Sequence, residues 1–408
     1  MRTLDPDELV TVLTGLPENP RAVVSGNFAH PQVLLDVLDR SCERFRLNAV
    51  NAQPGIPDRD GITYETSFVG AGMRRHPRLD YTACRLSLVP RLFATTQPPD
   101  VVLLHTSTPR DGMVSLGTEV NVLPGAIEAA RARGGLVIAQ LNPQMPYTFG
   151  DAELPVDAID YTVDVDHPLA SPPEKPLDEK ARVIGERVAA RVPDGSTLQL
   201  GIGAVPDAVL HGLRSRRGLA LWTEMFSDGV LALDRGGALD PDRPLTASFL
   251  FGSPDLYGWV NRNPRVRMLR TETTNEPALI SRHRNMTSVN TALQVDLFAQ
   301  ANASRINTRI FSGFGGQTDF IVGALHAPGG QAIIALKSWH PKADVSTIVP
   351  LVDEPVTSFQ MSAVVTEHGS AEIFGYSERE QASHLIEHAA HPRVREELWE
   401  EAEALGLT

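Results

Sequence analysis

What the chain has little of narrows its reading first. Only two cysteines, Cys42 and Cys84, occur in 408 residues. With no CxxC pair, neither a disulfide framework nor a cysteine-built zinc site is expected, and a reducing cytoplasm is. No apolar run approaches the ~20 residues needed to span a bilayer, so no membrane association is expected. The N-terminus, MRTLDPDELVTVLTGL, carries acids early and lacks the continuous apolar core of a secretory signal. It reads as a short amphipathic helix. Positive charge is scarce as well: 37 Lys and Arg face 50 Asp and Glu, a formal net charge of −13. A broad basic surface for nucleic acid is therefore not expected. A phosphate-bearing ligand would need a local cationic patch working against the overall field.

What remains is an ordinary globular mixture, 42% hydrophobic and 21% charged, long enough for two or three domains. Short apolar runs alternate with helical patterns, the mark of an α/β protein with parallel sheet. Arg21–Ser25, Val101–His105 and Gly135–Leu141 read as strands apolar on both faces, which helices must cover on each side. PGAIEAARARGG reads as one such helix, opened by Pro124 and Gly125 and closed by Gly134. The proline-rich stretch from Asp166 to Lys180 reads as a linker. A helix follows, with an apolar stripe of Val183, Ile184, Val188 and Val192 in which Arg187 also falls. This divides the chain into domains 1–175 and 176–408.

The halves resemble each other. Setting Pro31 over Pro206 aligns Gly26 with Gly201, Ala29 with Ala204, and Leu34, Leu35 and Leu38 with Val209, Leu210 and Leu213. Each half presents a strand, a glycine turn, a proline at the first helical position and an apolar helix face. A duplicated α/β domain explains this; any strand–Gly–helix unit would look similar.

The chemistry concentrates in Thr197–Gly229. A strand ends at Leu200, Gly201-Ile202-Gly203 turns tightly, and a helix starts at Pro206. Such a turn brings backbone N–H groups close to an anion or a developing oxyanion. A dinucleotide fingerprint fails here, because Pro206 occupies the third glycine position and no suitably placed acid follows the next strand. That strand, GLALW, runs into Thr223-Glu224-Met225. Parallel neighbours end side by side, where α/β sheets bind ligands, so Glu224 belongs beside the glycine turn. Flanked by Trp222, Met225 and Phe226, its carboxylate would be partly desolvated, more reactive and raised in pKa. The bland reading is a strand-end glutamate capping a turn. A second cluster, FSGFGGQTDF, suits a loop presenting N–H groups to a carbonyl oxygen, or is a plain glycine-rich turn.

Taken together, several segments resemble the acetyl-CoA hydrolase/transferase family, the class I CoA-transferase branch that includes 4-hydroxybutyrate CoA-transferases. They are SGNFAHPQVLLDVL, VSLGTEVN, NPQMPYTFGDAEL, LGIGAVPDAVL, TEMFSDGV, NMTSVNTALQVDL, SGFGGQTDFIVGA and VVTEHGSAEI, in the family's order. The resemblance implies two similar open α/β domains with mainly parallel sheets, of the NagB/RpiA-like kind. It implies a CoA-transferase working by a ping-pong route through a glutamyl-CoA thioester, an acyl-CoA hydrolase being the alternative on the same scaffold. By the same carry-over the catalytic glutamate is Glu224, and the loop holding the thioester oxygen is Gly315-Gly316. Gly201, Ile202, Gly203, Ala204, Val205 and Gln317 line the site. Glu367 and Gly369 of TEHG lie along the CoA chain, and Gln144–Phe149 faces the acceptor carboxylate. No cofactor is bound permanently, coenzyme A being a substrate; no metal is implied, the partners are an acyl-CoA and a small carboxylate, and a cytoplasmic homodimer is implied. The position equivalent to Glu224 in the first half is Ala49, so only the second half carries a nucleophile.

Two departures bear on substrate contacts. Phe374-Gly375-Tyr376-Ser377 stands where the family usually has a basic-Gly-x-Ser pattern, and Val322 where an arginine is common. The densest basic run is Arg262, Arg265, Arg267, Arg270, Arg282 and Arg284, either a phosphate site or a solvated face. His384-Leu385-Ile386-Glu387-His388 matches an inverted zinc-protease pattern that would still need a third ligand. A non-catalytic CoA-binding protein is disfavoured by the presence of Glu224.

Overall fold

Strands apolar on both faces must lie inside covered sheets, and Val101–Thr106 is buried at every position. The computed structural model describes residues 1–172, 178–201 and 203–408. They form two units: Met1–Pro172, Leu245–Thr274 and Ile310–Gly315 in the first, and Pro173–Pro244, Asn275–Arg309 and Gly316–Thr408 in the second. The divide expected at residue 175 falls in 173–177, outside the described residues. No single cut separates the units, because two later segments group with the first.

In the first unit, eight strands form one sheet in the order Arg2–Thr3, Tyr161–Asp164, Leu136–Leu141, Val101–Thr106, Arg21–Val24, Phe45–Asn48, Ile62–Thr66 and Leu79–Tyr81. Every pairing along it is parallel. The N-terminal helix is Pro6–Thr14, opened by an Asp5/Glu8 capping box and burying Leu9 and Leu13. The PGAIEAARARGG segment forms the helix Leu123–Ala132, followed by Gly134 at φ +74°, a left-handed conformation that glycine tolerates best.

The second unit carries a sheet ordered Ser370–Glu372, Ala363–Val365, Gln331–Ala335, Met286–Asn290, Thr197–Leu200 and Ala220–Trp222. All pairings are parallel except that of the Ser370–Glu372 edge strand. Both units are thus α/β with mainly parallel sheet, and the strand–turn–helix–strand unit recurs in each. In the first it is Arg21–Val24, the helix Gln32–Ser41 and Phe45–Asn48. In the second it is Thr197–Leu200, the helix Ala204–Gly212 and Ala220–Trp222. That second helix begins two residues before Pro206. The first helical turn leaves its N–H groups without intrahelical partners, so a proline there sacrifices no bond.

The helix Glu179–Ala190 buries Ala181, Ile184, Gly185, Val188 and Ala189, while Val183 is only half-buried and Arg187 is exposed. Gly185 lies against the backbone of Ala208 and Val209, with no room for a side chain. The apolar stripe expected from the sequence missed this glycine because close helix–helix approach selects small residues, which carry no hydrophobic signal.

Candidate active site

Glu224 sits where its strand's sequence puts it, just past the end of Ala220–Trp222. Thr197 and Leu198 pair with Ala220 and Leu221 in parallel register, and continuing that register brings Gly201 level with Glu224. Buried Thr223 locks the two strand ends together. Its Oγ1 is 3.1 Å from the Leu200 carbonyl and 3.0 Å from that of Met225, and accepts from the Leu200 N–H at 3.4 Å. Met225 and Phe226 are buried beside it, and Trp222 packs on His283 with ring centroids 4.6 Å apart.

The Glu224 carboxylate meets two groups from distant parts of the chain. The Nδ2 of Asn275, a residue with no exposed surface, donates to Oε2 at 2.8 Å. Gly316 presses against the same pair: a Cβ there would overlap Glu224 Oε2 and the Asn275 amide, and would stand 3.2 Å from Glu224 Cδ. Gly316 is the N-cap of the ten-residue helix Gln317–His326, so the partially positive end of that helix adjoins the carboxylate. Burial raises the Glu224 pKa to about 7, the Asn275 hydrogen bond opposes the rise, and the charge of buried Asp319 adds to it. Near neutral pH this glutamate therefore exists in both protonation states. Its anion is poorly solvated, which is what a reactive carboxylate nucleophile requires.

Around this core the other expected residues fall into distinct places. Gly203 takes φ +119°, a value that side-chain-bearing residues rarely adopt, and opens the helix that begins with Ala204 and Val205. Ile202 lies outside the described residues. Gln317, in the first turn after Gly316, has a buried amide nitrogen without a hydrogen-bond partner, as a ligand-facing group would. Gly315, at φ +55°, is the last residue of the first unit's third segment and gives its carbonyl to the Leu86 N–H at 2.9 Å.

Glu367 and Gly369 are not beside Glu224. They follow Ala363–Val365, four strands along the sheet from Ala220–Trp222, or roughly 19 Å at the usual strand spacing. The Glu367 carboxylate accepts from the Ser338 N–H and hydroxyl at 2.8 and 2.9 Å and pairs with Lys180 at 3.2 Å. Burial opposes its ionisation, yet these donors hold it below the usual carboxylate range. Gly369 packs on the His388 carbonyl, 2.6 Å from where a Cβ would stand.

In the first unit only Phe149-Gly150 of the 144–149 region pairs as a strand, with Arg267 and Met268; Gln144 donates to Asp166 at 2.9 Å. The basic run is split: Arg262 to Arg270 fall in the first unit, Arg282 and Arg284 in the second. Arg270 forks onto Glu128 at 2.8 Å through both terminal nitrogens, so it is structural. His384 donates from Nδ1 to the Glu372 carbonyl at 2.7 Å, and no group of three metal-binding side chains occurs among the described residues.

Sequence reasoning missed Asn275, Thr223 and Asp319. Asn275 lies 51 positions from its partner, with no periodicity linking them. Thr223 and Asp319 stood inside the TEMFSDG and GGQTDF segments, where a buried polar residue next to a candidate nucleophile could have been read as its support.

The chain is similar to known proteins over most of its length. Residues 58–171 match the acetyl-CoA hydrolase/transferase N-terminal domain, and residues 252–402 match the C-terminal domain of the same family. The chain is 40% identical to a 4-hydroxybutyrate coenzyme A transferase of Clostridium kluyveri, over 82% of this chain and 80% of that one. Among solved structures, RipA from Yersinia pestis superposes with a TM-score of 0.93 at 28% identity, over 100% of this chain and 98% of that one. A 4-hydroxybutyrate CoA-transferase from Porphyromonas gingivalis gives 0.83 at 30% identity, over 99% and 98%. Two family domains in order, a relative matched over most of its length and a shared fold leave one conclusion: the chain belongs to the acetyl-CoA hydrolase/transferase family.

Proposed function

We propose that the protein is a CoA-transferase that moves CoA between an acyl-CoA and a small carboxylic acid, with Glu224 as the covalent carrier. The observation that carries this reading is the half-buried Glu224 carboxylate, raised to about pKa 7, held by Asn275 and pressed by Gly316 at a helix N-terminus. Ionised Glu224 attacks the thioester carbon, the C–S bond breaks, and CoA leaves as thiolate from a mixed anhydride. The thiolate attacks the glutamyl carbonyl, expelling the first acid as carboxylate and leaving a glutamyl-CoA thioester. A second carboxylate attacks that thioester, and the released thiolate then attacks the new acyl carbon, restoring Glu224. Each step exchanges one acyl bond for another, so thioester energy is kept. Asn275 orients the nucleophile, and backbone N–H groups beginning at Gly316 stabilise the tetrahedral oxyanions.

The family also takes in hydrolases, in which water replaces the second acid. Thiol release measured with and without added carboxylates separates the two: a transferase releases little CoA until the acceptor is supplied. Incubation with acyl-CoA followed by mass spectrometry tests the carrier itself, with a CoA adduct on Glu224 expected. Both cysteines are free thiols, which supports a cytoplasmic setting. CoA enters as a substrate in this reading, and a homodimer is taken as the working assembly.

A further inference from the structure

Asp319 is an acid with no exposed surface that the chemistry described so far does not use. It lies in the first turn of the helix Gln317–His326, whose N-cap, Gly316, presses on Glu224. The Gly316 carbonyl accepts from the Phe320 N–H at 3.1 Å, so the helical turn is closed from Gly316 onward. Residues three apart on a helix share one face, with Cβ positions about 5–6 Å apart. Since a Cβ on Gly316 would overlap the Glu224 carboxylate, Asp319 holds its own carboxylate within roughly 4–8 Å of the nucleophile.

Little nearby offsets that charge. Pro277–Ile280, Met286–Asn290 and Gln331–Ala335, the elements packed most closely on this helix, contain no charged residue. Around Glu224, Asn275 and Gly316 are neutral, and Met225 and Phe226 are apolar. His283, against Trp222, is neutral near pH 7, because burial first and then Arg243 lower its pKa to about 4. Asp207, in the first turn of Ala204–Gly212, accepts from the Ser227 hydroxyl at 3.4 Å. Among the described residues, Asp319 is the one charged group that acts on Glu224. An acid in a first turn ordinarily serves its helix by complementing the positive end. This one also faces a second carboxylate, and like charges in a water-poor site raise each other's energy.

We propose that Asp319 is a positioning residue for acyl transfer: its fixed negative charge repels the Glu224 carboxylate and favours its conversion into a neutral acyl bond. The proposal rests on the CoA-transferase reading and deepens it. When a Glu224 oxygen attacks the thioester carbon, a C–O bond forms, the C–S bond breaks, and the electron pair leaves on the CoA sulfur. The anhydride, and the glutamyl-CoA thioester after it, are neutral at residue 224, so the repulsion is relieved once the covalent bond exists. Asp319 thus raises the energy of the free nucleophile and draws the enzyme toward its loaded state, without giving or taking a proton. The same repulsion favours a proton on Glu224. Removing the charge must therefore lower both the proton affinity of Glu224 and its equilibrium loading with CoA, by the same factor.

The test compares wild type with Asp319→Asn, a nearly isosteric change that removes only the charge. Two quantities are read on each enzyme. One is the acidic limb of the pH–kcat/KM profile, which reports groups of the free enzyme. The other is the ratio of CoA-loaded to free Glu224 at equilibrium with an acyl-CoA and its free acid above the limb, measured by mass spectrometry. In the variant the limb should fall by roughly one pH unit and the loading ratio by about tenfold, one unit being a factor of ten. A limb that stays or rises, or a loading ratio that falls while the limb stays, would overturn the proposal, because an acid serving only its helix moves neither in step. Asp319→Ser carries the same expectation and replaces Asp319→Asn if that variant does not fold. If wild type itself forms no CoA adduct on Glu224, the CoA-transferase reading falls; a wild-type adduct with an unmoved limb removes only the role of Asp319.

Discussion

Replacing Gly316 by alanine perturbs the site at its tightest point. The backbone there has φ −96° and ψ −1°, which any residue accepts, so the substitution adds no conformational strain. The added methyl would overlap the Glu224 carboxylate oxygen and the Asn275 amide nitrogen. Both are the free ends of side chains and can swing aside, so the stability cost should stay near the low end of the ~1–3 kcal/mol usual for overpacking. Catalysis has no such escape. The two groups must part by about 1 Å or more to regain normal contact distances. That breaks a charge-assisted hydrogen bond worth ~1.5–3 kcal/mol, and a displacement of that size at a reacting atom commonly costs ~100-fold in rate. The expected result is a fall in kcat of roughly 100-fold or more, with Tm only slightly reduced. Steady-state CoA transfer and calorimetry on the same preparation measure both. A Gly316→Ala enzyme with more than half of wild-type kcat would refute the proposed role of Glu224 beside this glycine.

Three further outcomes follow from the same geometry. Glu224→Gln should abolish transfer and the CoA adduct. It should also gain stability relative to wild type between about pH 4.5 and 7, because a carboxyl whose folded pKa is raised to about 7 loses its stabilising contribution as pH climbs through that window. The gain amounts to roughly 3 kcal/mol at most, and parallel unfolding curves at both ends of the window would expose its absence. Asn275→Ala removes the donor that favours the charged carboxylate, so the acidic limb of the pH–kcat profile should move above about 7; a limb that stays or moves down contradicts the assignment. Thr223→Val leaves the Leu200 and Met225 carbonyls short of a partner. It should cost roughly 1–3 kcal/mol in denaturant unfolding, and a loss under about 0.5 kcal/mol would show that the strand ends are held by something else.

Local sequence patterns reach only part of this site. Glu224 and the glycine turn before Ala204 were legible because a strand of apolar residues ends at a definite point and glycine marks a tight turn. Gly316 was legible as part of a glycine cluster, but its contact with Glu224 joins residues 92 positions apart and nothing in the sequence encodes that distance. Glu367 was expected along the CoA chain; its carboxylate is engaged by Ser338 and Lys180, an arrangement set by which strands are neighbours. The basic run from Arg262 to Arg284 looked continuous in sequence and is divided between two units.

By itself the sequence determined an α/β chain with buried, mainly parallel strands, where its main turns fall and which carboxylate ends a strand. Those properties depend on the side-chain period and on a few residues with restricted backbones. Only the tertiary structure decided that Asn275 and Gly316 converge on Glu224 and that the later segments 245–274 and 310–315 return to the first unit. Strand order and register bring remote residues together, and that information lies in the packing of whole elements against one another.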